Sequence, residues 1–200
     1  MTWKGKGSGM KRLKKMRGLI ILVVMVALAV GYYFYLSNRT RSNDDDDITV
    51  TRVQELLMRN LEQNYPATPK EVVKLYSDIT QCFYGEKYSE EELERLATMA
   101  YALFDEELAA ANPWNIYYAK LIGEIEEYKK NHYVISAYTT SSSVDIEHQK
   151  FTKDGYTCTR VYVYYTMRRG TVIDTLNVVF VLRKDKSGYW RIYGWQLVEE

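Results

Sequence analysis

The chain has 200 residues and a formal net charge of +1, but that near-neutral total hides two unlike parts. Residues 1–17 hold Lys4, Lys6, Lys11, Arg12, Lys14, Lys15 and Arg17 and no acid, so the other 183 residues hold 20 of the 27 basic groups and all 26 acids, a net −6. An acidic body argues against nucleic-acid binding, which needs a basic surface to displace counterions from phosphates. The two cysteines, Cys82 and Cys158, have no second Cys or His at metal-ligand spacing.

From Leu19 to Leu36 the chain reads LIILVVMVALAVGYYFYL, without a charge and without a polar face. Eighteen helical residues rise about 27 Å, close to the ~30 Å thickness of a bilayer's hydrocarbon core. Tyr32, Tyr33 and Tyr35 fall at the end of the run, where amphipathic rings favour the headgroup layer. The basic flank before the segment and the acidic run Asp44 to Asp47 after it predict an inside N-terminus and an outside C-terminal region. Ala27-Leu28-Ala29 imitates a signal-peptide cleavage site, yet the run stays apolar from Val30 to Leu36, which favours an uncleaved anchor. No cysteine lies near the segment, so a lipid-modified lipoprotein is excluded. Asn38-Arg39-Thr40 matches a glycosylation acceptor, but it abuts the expected bilayer. The expected organisation is therefore a basic cytoplasmic tail (1–17), a transmembrane helix (18–36), an acidic linker (37–48) and an extracytoplasmic α+β domain (49–200). The partner implied by Leu19 to Leu36 is the lipid bilayer, in a single-pass protein of the cell membrane.

Four helices are predicted after the linker. The first opens near Thr49 to Thr51, carries Val53, Leu56, Leu57 and Leu61 on one face, and is stopped by Pro66. Thr68, Pro69 and Glu71 form a capping box with proline at the first helical position, followed by the stripe Val72, Tyr76, Ile79 and Phe83, with Gly85 at the C-cap. Ser89 and three glutamates open a third helix whose face runs without a break from Leu93 to Leu108. Asn112-Pro113 starts the fourth, with Ile116, Leu121, Ile125 and Tyr128.

After Asn131 the period becomes two. Residues 132–140 and 144–152 are predicted strands, the second ending at the turn Lys153-Asp154-Gly155. Residues 156–168 place Val161, Val163, Tyr165 and Met167 on one face; Arg169-Gly170 and then residues 185–188 turn the chain into strands over 171–184 and 189–198. Strands this long must twist, which predicts a strongly curved antiparallel sheet folded around the helices.

Helices followed by a curved meander that closes on GYWRIYGWQLVE (188–199) resemble the nuclear transport factor 2-like superfamily. Its closing hairpin is matched by the apolar strand at 178–182, the acidic-glycine turn at 185–188 and Trp190-Arg191-Ile192. The resemblance implies three to four helices packed on a cone-shaped sheet. It also implies either cavity enzymes (isomerases, dehydratases, cyclases) or noncatalytic scaffolds, among them single-pass subunits of bacterial secretion and conjugation machines. The layout, with its T-P-K-E-V-V-K-x-Y helix start at 68–76, is also similar to uncharacterised membrane-anchored proteins of Gram-positive gut anaerobes.

Few residues stand out as candidates for chemistry. The phosphate-binding GxxxxGK[ST], HExxH, CxxC and GxSxG patterns do not occur. Asp174 shares strand parity with Val172, Leu176, Val178, Phe180 and Leu182, so it is the one candidate for a carboxylate facing a cavity, where burial would make it a base. Tyr162, Tyr164, Trp190 and Trp195 are candidates for a ligand pocket, although core or interface packing explains them equally. His132 and His148 lie near Asp145 and Glu147, and Asp145, Glu147 and His148 read as a solvated polar strand rather than an acid–base set. Cys82 and Cys158 bridge a helix to a strand or are two small buried hydrophobes, the reading preferred. No cofactor or metal is implied. The reading that follows is a membrane-anchored interaction or scaffold module with a protein partner in the envelope. Its rival is a small-molecule binder or cavity enzyme of the same fold.

Overall fold

The computed structural model describes residues 50–198. The expected tail (1–17), apolar segment (18–36) and linker (37–48) all fall outside them. Among the described residues no helix is long and apolar enough to cross a membrane.

Five helices come first: α1 (Arg52–Leu57), α2 (Pro69–Gly85), α3 (Glu90–Tyr101), α4 (Glu106–Ala111) and α5 (Trp114–Lys130). The rest is β1 (Val134–Thr140), α6 (Ser143–His148), β2 (Phe151–Lys153), β3 (Tyr156–Arg169), β4 (Val172–Lys184) and β5 (Trp190–Leu197). The architecture is α+β, with helices packed on one antiparallel sheet. The capping boxes at Thr68/Glu71 and Ser89/Glu92 form as the spacing predicts, each hydroxyl accepting from the N3 amide.

Four expectations are corrected. The first helix ends at Leu57, well before Pro66, because Asn60 Oδ1 accepts from Glu62 N (2.9 Å) and draws the chain into a separate turn. Gly85 is the last residue of α2, and Glu86, in extended conformation, is its C-cap. The continuous face from Leu93 to Leu108 is broken, since Asp105 caps a new helix by accepting from Glu107 N (3.0 Å). Residues 144–152 are chiefly helix α6, with only β2 extended. There Ser142 Oγ accepts from Asp145 N and caps the turn, while Ile146 alone needs burial, a demand one helical turn meets.

The sheet order is β1-β3-β4-β5, with β2 pairing further along the same edge of β3. Each hairpin turn uses a glycine where the backbone must be left-handed: Asp154 and Gly155 (φ 51° and 81°) join β2 to β3, and Gly170 (φ 61°) joins β3 to β4. Bulges between Ile135 and Ala137 and between Val181 and Leu182 bend the outer strands, so the sheet curves over the helices. Val161, Val163 and Tyr165 of β3, Val178, Phe180 and Leu182 of β4, and Ile192 of β5 meet Val72, Ile79, Leu96 and Leu103 in a core with almost no solvent contact. Within it the Ser77 and Tyr165 hydroxyls share a buried hydrogen bond (2.8 Å).

β3 and β4 continue past that core. Among the described residues β5 pairs with β4 only from Val178 onward, so the stretch of β4 from Val172 to Leu176 has an open edge.

Candidate functional site

Two side-chain assemblies stand out. In the first, the turn after α3 lies along the edge of β5, where Ile192 N donates to Leu103 O (2.8 Å) and Asp105 N to Ile192 O (2.9 Å). That places Asp105 under Arg183 of β4. Arg183 grips it with Nε to Oδ2 (2.9 Å) and Nη2 to Oδ1 (2.5 Å), while Nη1 reaches Glu107 Oε1 (2.7 Å). The rings of Tyr156 (4.5 Å) and Tyr193 (4.8 Å) lie against the guanidinium, and Tyr193 Oη donates to Glu107 Oε2 (3.0 Å). Hydrogen bonds from Arg183 and then Tyr193 hold the Glu107 carboxyl below its usual range. Burial opposes the charge on Arg183, but its bonds to Asp105 and Glu107 prevail and raise its pKa. All three guanidinium nitrogens are bonded, so this group locks helix to sheet. A cavity of about 250 Å³ lies beside it, lined also by Asp185 and Arg191.

The second is a cleft of about 230 Å³ between α2, α5 and the end of β5. Phe83, Phe104 and Leu121 line it with Tyr76, Tyr117 and Trp195, whose rings contact one another: Tyr76–Trp195 at 5.7 Å, Phe104–Trp195 at 5.6 Å and Phe104–Tyr117 at 5.3 Å. Lys120 and Glu124, one turn apart on α5, add opposite charges, and Tyr84 Oη donates to Glu124 Oε2 (3.3 Å). Burial raises the pKa of Tyr76, Tyr84 and Tyr117, so all three phenols remain neutral donors at physiological pH. Tyr117 Oη is buried with no hydrogen-bond partner among the described residues. The cleft combines aromatic surface, a free phenol and a charged rim, the makings of weak recognition of a small amphipathic molecule.

The residues singled out in sequence do not converge. Asp174 has the parity of the apolar face but stands beyond the core, exposed, where its Oδ1 accepts from Thr175 N (2.8 Å). Parity specifies a face and says nothing of how far the core extends beneath it. Tyr162 is half-buried and Tyr164 exposed on the sheet face away from the helices. Trp190 is buried and lines a separate cavity with Pro69 and Ile146, while Trp195 reaches the aromatic cleft. Asp145, Glu147 and His148 sit on α6, where Asp145 accepts from Ser142 Oγ (2.6 Å) and Glu147 from Lys150 Nζ (2.6 Å). His132 occupies a left-handed turn (φ 56°) after α5. Cys82 and Cys158 are both buried and free. No three His, Cys, Asp or Glu residues gather as a metal-ligand set among the described residues.

Sequence reasoning missed Arg183, Asp105 and Glu107. Two signals were present: a charge inside the apolar run VVFVLRK, and Asp-Glu-Glu after Phe104, the composition of a helix start.

Fold and assemblies together define a helix-on-sheet α+β domain built around a filled core. The chain belongs to the family described as Domain of unknown function (DUF6715), whose model matches residues 9–195. No curated protein matches it.

Proposed function

We propose that this protein is a noncatalytic interaction module held at the outer face of a bacterial cell membrane by its N-terminal apolar segment, and that its domain is a nuclear transport factor 2-like cone used as a scaffold. The observation that carries the reading is the filled interior. Side chains of both layers occupy the space under the curved sheet, and the Ser77 and Tyr165 hydroxyls buried there satisfy each other. A cone packed in this way presents surfaces rather than a reaction chamber. The family match supports treating segment and domain as one unit, since it takes in residues 19–36 as well as the described domain.

The test is crosslinking and co-purification of the full chain from its native membrane. A discrete protein partner recovered in near-stoichiometric amount, and lost when exposed residues of the domain are changed, is the expected outcome. Recovery of the chain alone, with its abundance tied to turnover of a small molecule, would overturn the scaffold reading.

One observation favours a second reading, small-molecule binding. The unbonded Tyr117 hydroxyl in an aromatic cleft rimmed by Lys120 and Glu124 offers a ligand one hydrogen bond and two charges. A compound that raises the unfolding temperature of the natural protein, but not of Tyr117→Phe, would support it.

A further inference from the structure

The free end of the β3–β4 hairpin carries a pattern that packing does not explain. Val172 (54 %) and Ile173 (61 %) are among the most exposed large apolar side chains, although both are β-branched residues of a regular strand. Each stands opposite an arginine: Arg169 pairs with Val172 on one face of the hairpin, and Arg168 pairs with Ile173 on the other. On the second face the row extends to β1, where the exposed Val134 stands opposite Arg168. On the first face the Arg169 guanidinium lies 5.1 Å from the centre of the Tyr133 ring. Tyr133 N donates to Tyr128 O, which ties this residue to the end of α5. Two arginines, one on each face, thus flank an apolar tip, with Asp174 the closest carboxylate along the chain. Gly170, left-handed at φ 61°, keeps the turn narrow.

From this geometry we propose that the β3–β4 hairpin tip is a lipid-docking wedge that enters the interfacial layer of an anionic bilayer. A protein groove reads one face of a strand pair, whereas this tip repeats the same cation and β-branched pairing on both. A phospholipid surface surrounds an inserted tip and meets both faces alike. Arginine stems lie along acyl chains while their heads reach phosphates, so arginines flanking an apolar tip on both faces fit the headgroup boundary. The arginine charge is complementary to anionic lipid, although the body as a whole is net acidic. The inference rests on the membrane-anchor reading above, because a tethered domain meets its bilayer at high effective concentration and needs little intrinsic affinity.

The test uses the full chain reconstituted into vesicles, with Thr171→Cys at the tip carrying an environment-sensitive fluorophore. Cys82 and Cys158 are buried and their thiols are pushed up by burial, Cys82 to about 11, so the label goes to the tip. In phosphatidylglycerol vesicles the label should shift to the blue and be quenched by a lipid-borne quencher; in phosphatidylcholine vesicles it should report water. Arg168→Gln with Arg169→Gln should lower the ratio of docked to free label about 25-fold, about fivefold per cation. Val172→Ser with Ile173→Ser should abolish the blue shift while leaving circular dichroism unchanged. Flotation in alkaline carbonate reads the anchor separately. A chain that floats but whose label reports water in phosphatidylglycerol refutes the wedge and leaves the anchor standing. A chain that does not float refutes both. Equal burial of the label in the two lipids refutes the anionic preference, and burial that persists in detergent without lipid assigns the tip to a protein contact, including a second copy, instead.

Discussion

Asp105→Ala is the most informative perturbation of the fold. Asp105 is 2 % exposed and accepts two bonds from Arg183, itself 8 % exposed, across 78 residues of sequence. Removing one partner of a buried pair costs about 3–5 kcal/mol, because the remaining charge loses its compensation. Two features of the site adjust that figure. Arg183 keeps Glu107, but that carboxylate is exposed, and such pairs contribute only about 0–1 kcal/mol. Asp105 is also the N-cap of α4, a loss of about 1 kcal/mol. The net expectation is about 3–6 kcal/mol, which for a domain of this size lowers the unfolding temperature by roughly 10–20 °C. Urea denaturation of residues 49–200, followed by tryptophan fluorescence, measures it, and cooperative unfolding of the natural sequence is itself expected. Asp105→Asn retains a capping oxygen and should cost less than Asp105→Ala. Arg183→Met in the Asp105→Asn background should recover part of the loss, since no charge is then left buried. If Asp105→Ala stays within about 1 kcal/mol of the natural protein, the account of Arg183 as the lock between α4 and the sheet is wrong.

Four further outcomes are expected. Burial alone would raise the Asp185 carboxyl, but bonds from Tyr189 N, Arg191 and Ser187 N outweigh it and hold the pKa below the ordinary carboxylate value. Its stabilisation is therefore fully present above the unfolded-state pKa of about 4 and is lost as pH falls through the lower folded value. Asp185→Asn should flatten this part of the acid limb of stability against pH, and an unchanged slope refutes it. Tyr165→Phe strands the Ser77 hydroxyl in the core and should cost about 1–3 kcal/mol by denaturant titration, whereas adding Ser77→Ala should return part of it. Both thiols should resist Ellman's reagent at pH 8 in the native state and react on unfolding; rapid native-state reaction would contradict their burial. Asp174→Asn should change stability by less than about 0.5 kcal/mol, since the carboxylate is exposed and its contact among the described residues is the neighbouring Thr175 amide.

The sequence by itself determined those features that depend on neighbours a few positions away. Helix starts at Thr68 and Ser89 were legible because a capping box closes within four residues. Hairpin turns at Gly155, Gly170 and Gly188 were legible because the left-handed conformation each turn needs is available to glycine at little cost. The inward face of β3 followed from alternation alone. Tertiary structure decided the rest. Asp-Glu-Glu after Phe104 marked a possible helix start, but the apolar stripe continuing to Leu108 masked it, and the bonds to Ile192 that fix the turn require β5 in place. Residues 143–148 had too few apolar positions for their period to be read, so capping by Ser142 and the single anchor Ile146 settled them as helix. Asp174 showed the same limit, because its parity was legible but its distance past the edge of the core was not. The pairing of Arg183 with Asp105 lay beyond local reading altogether. Charge complementarity across 78 residues becomes visible only when the fold brings a turn and a strand together and excludes water from between them.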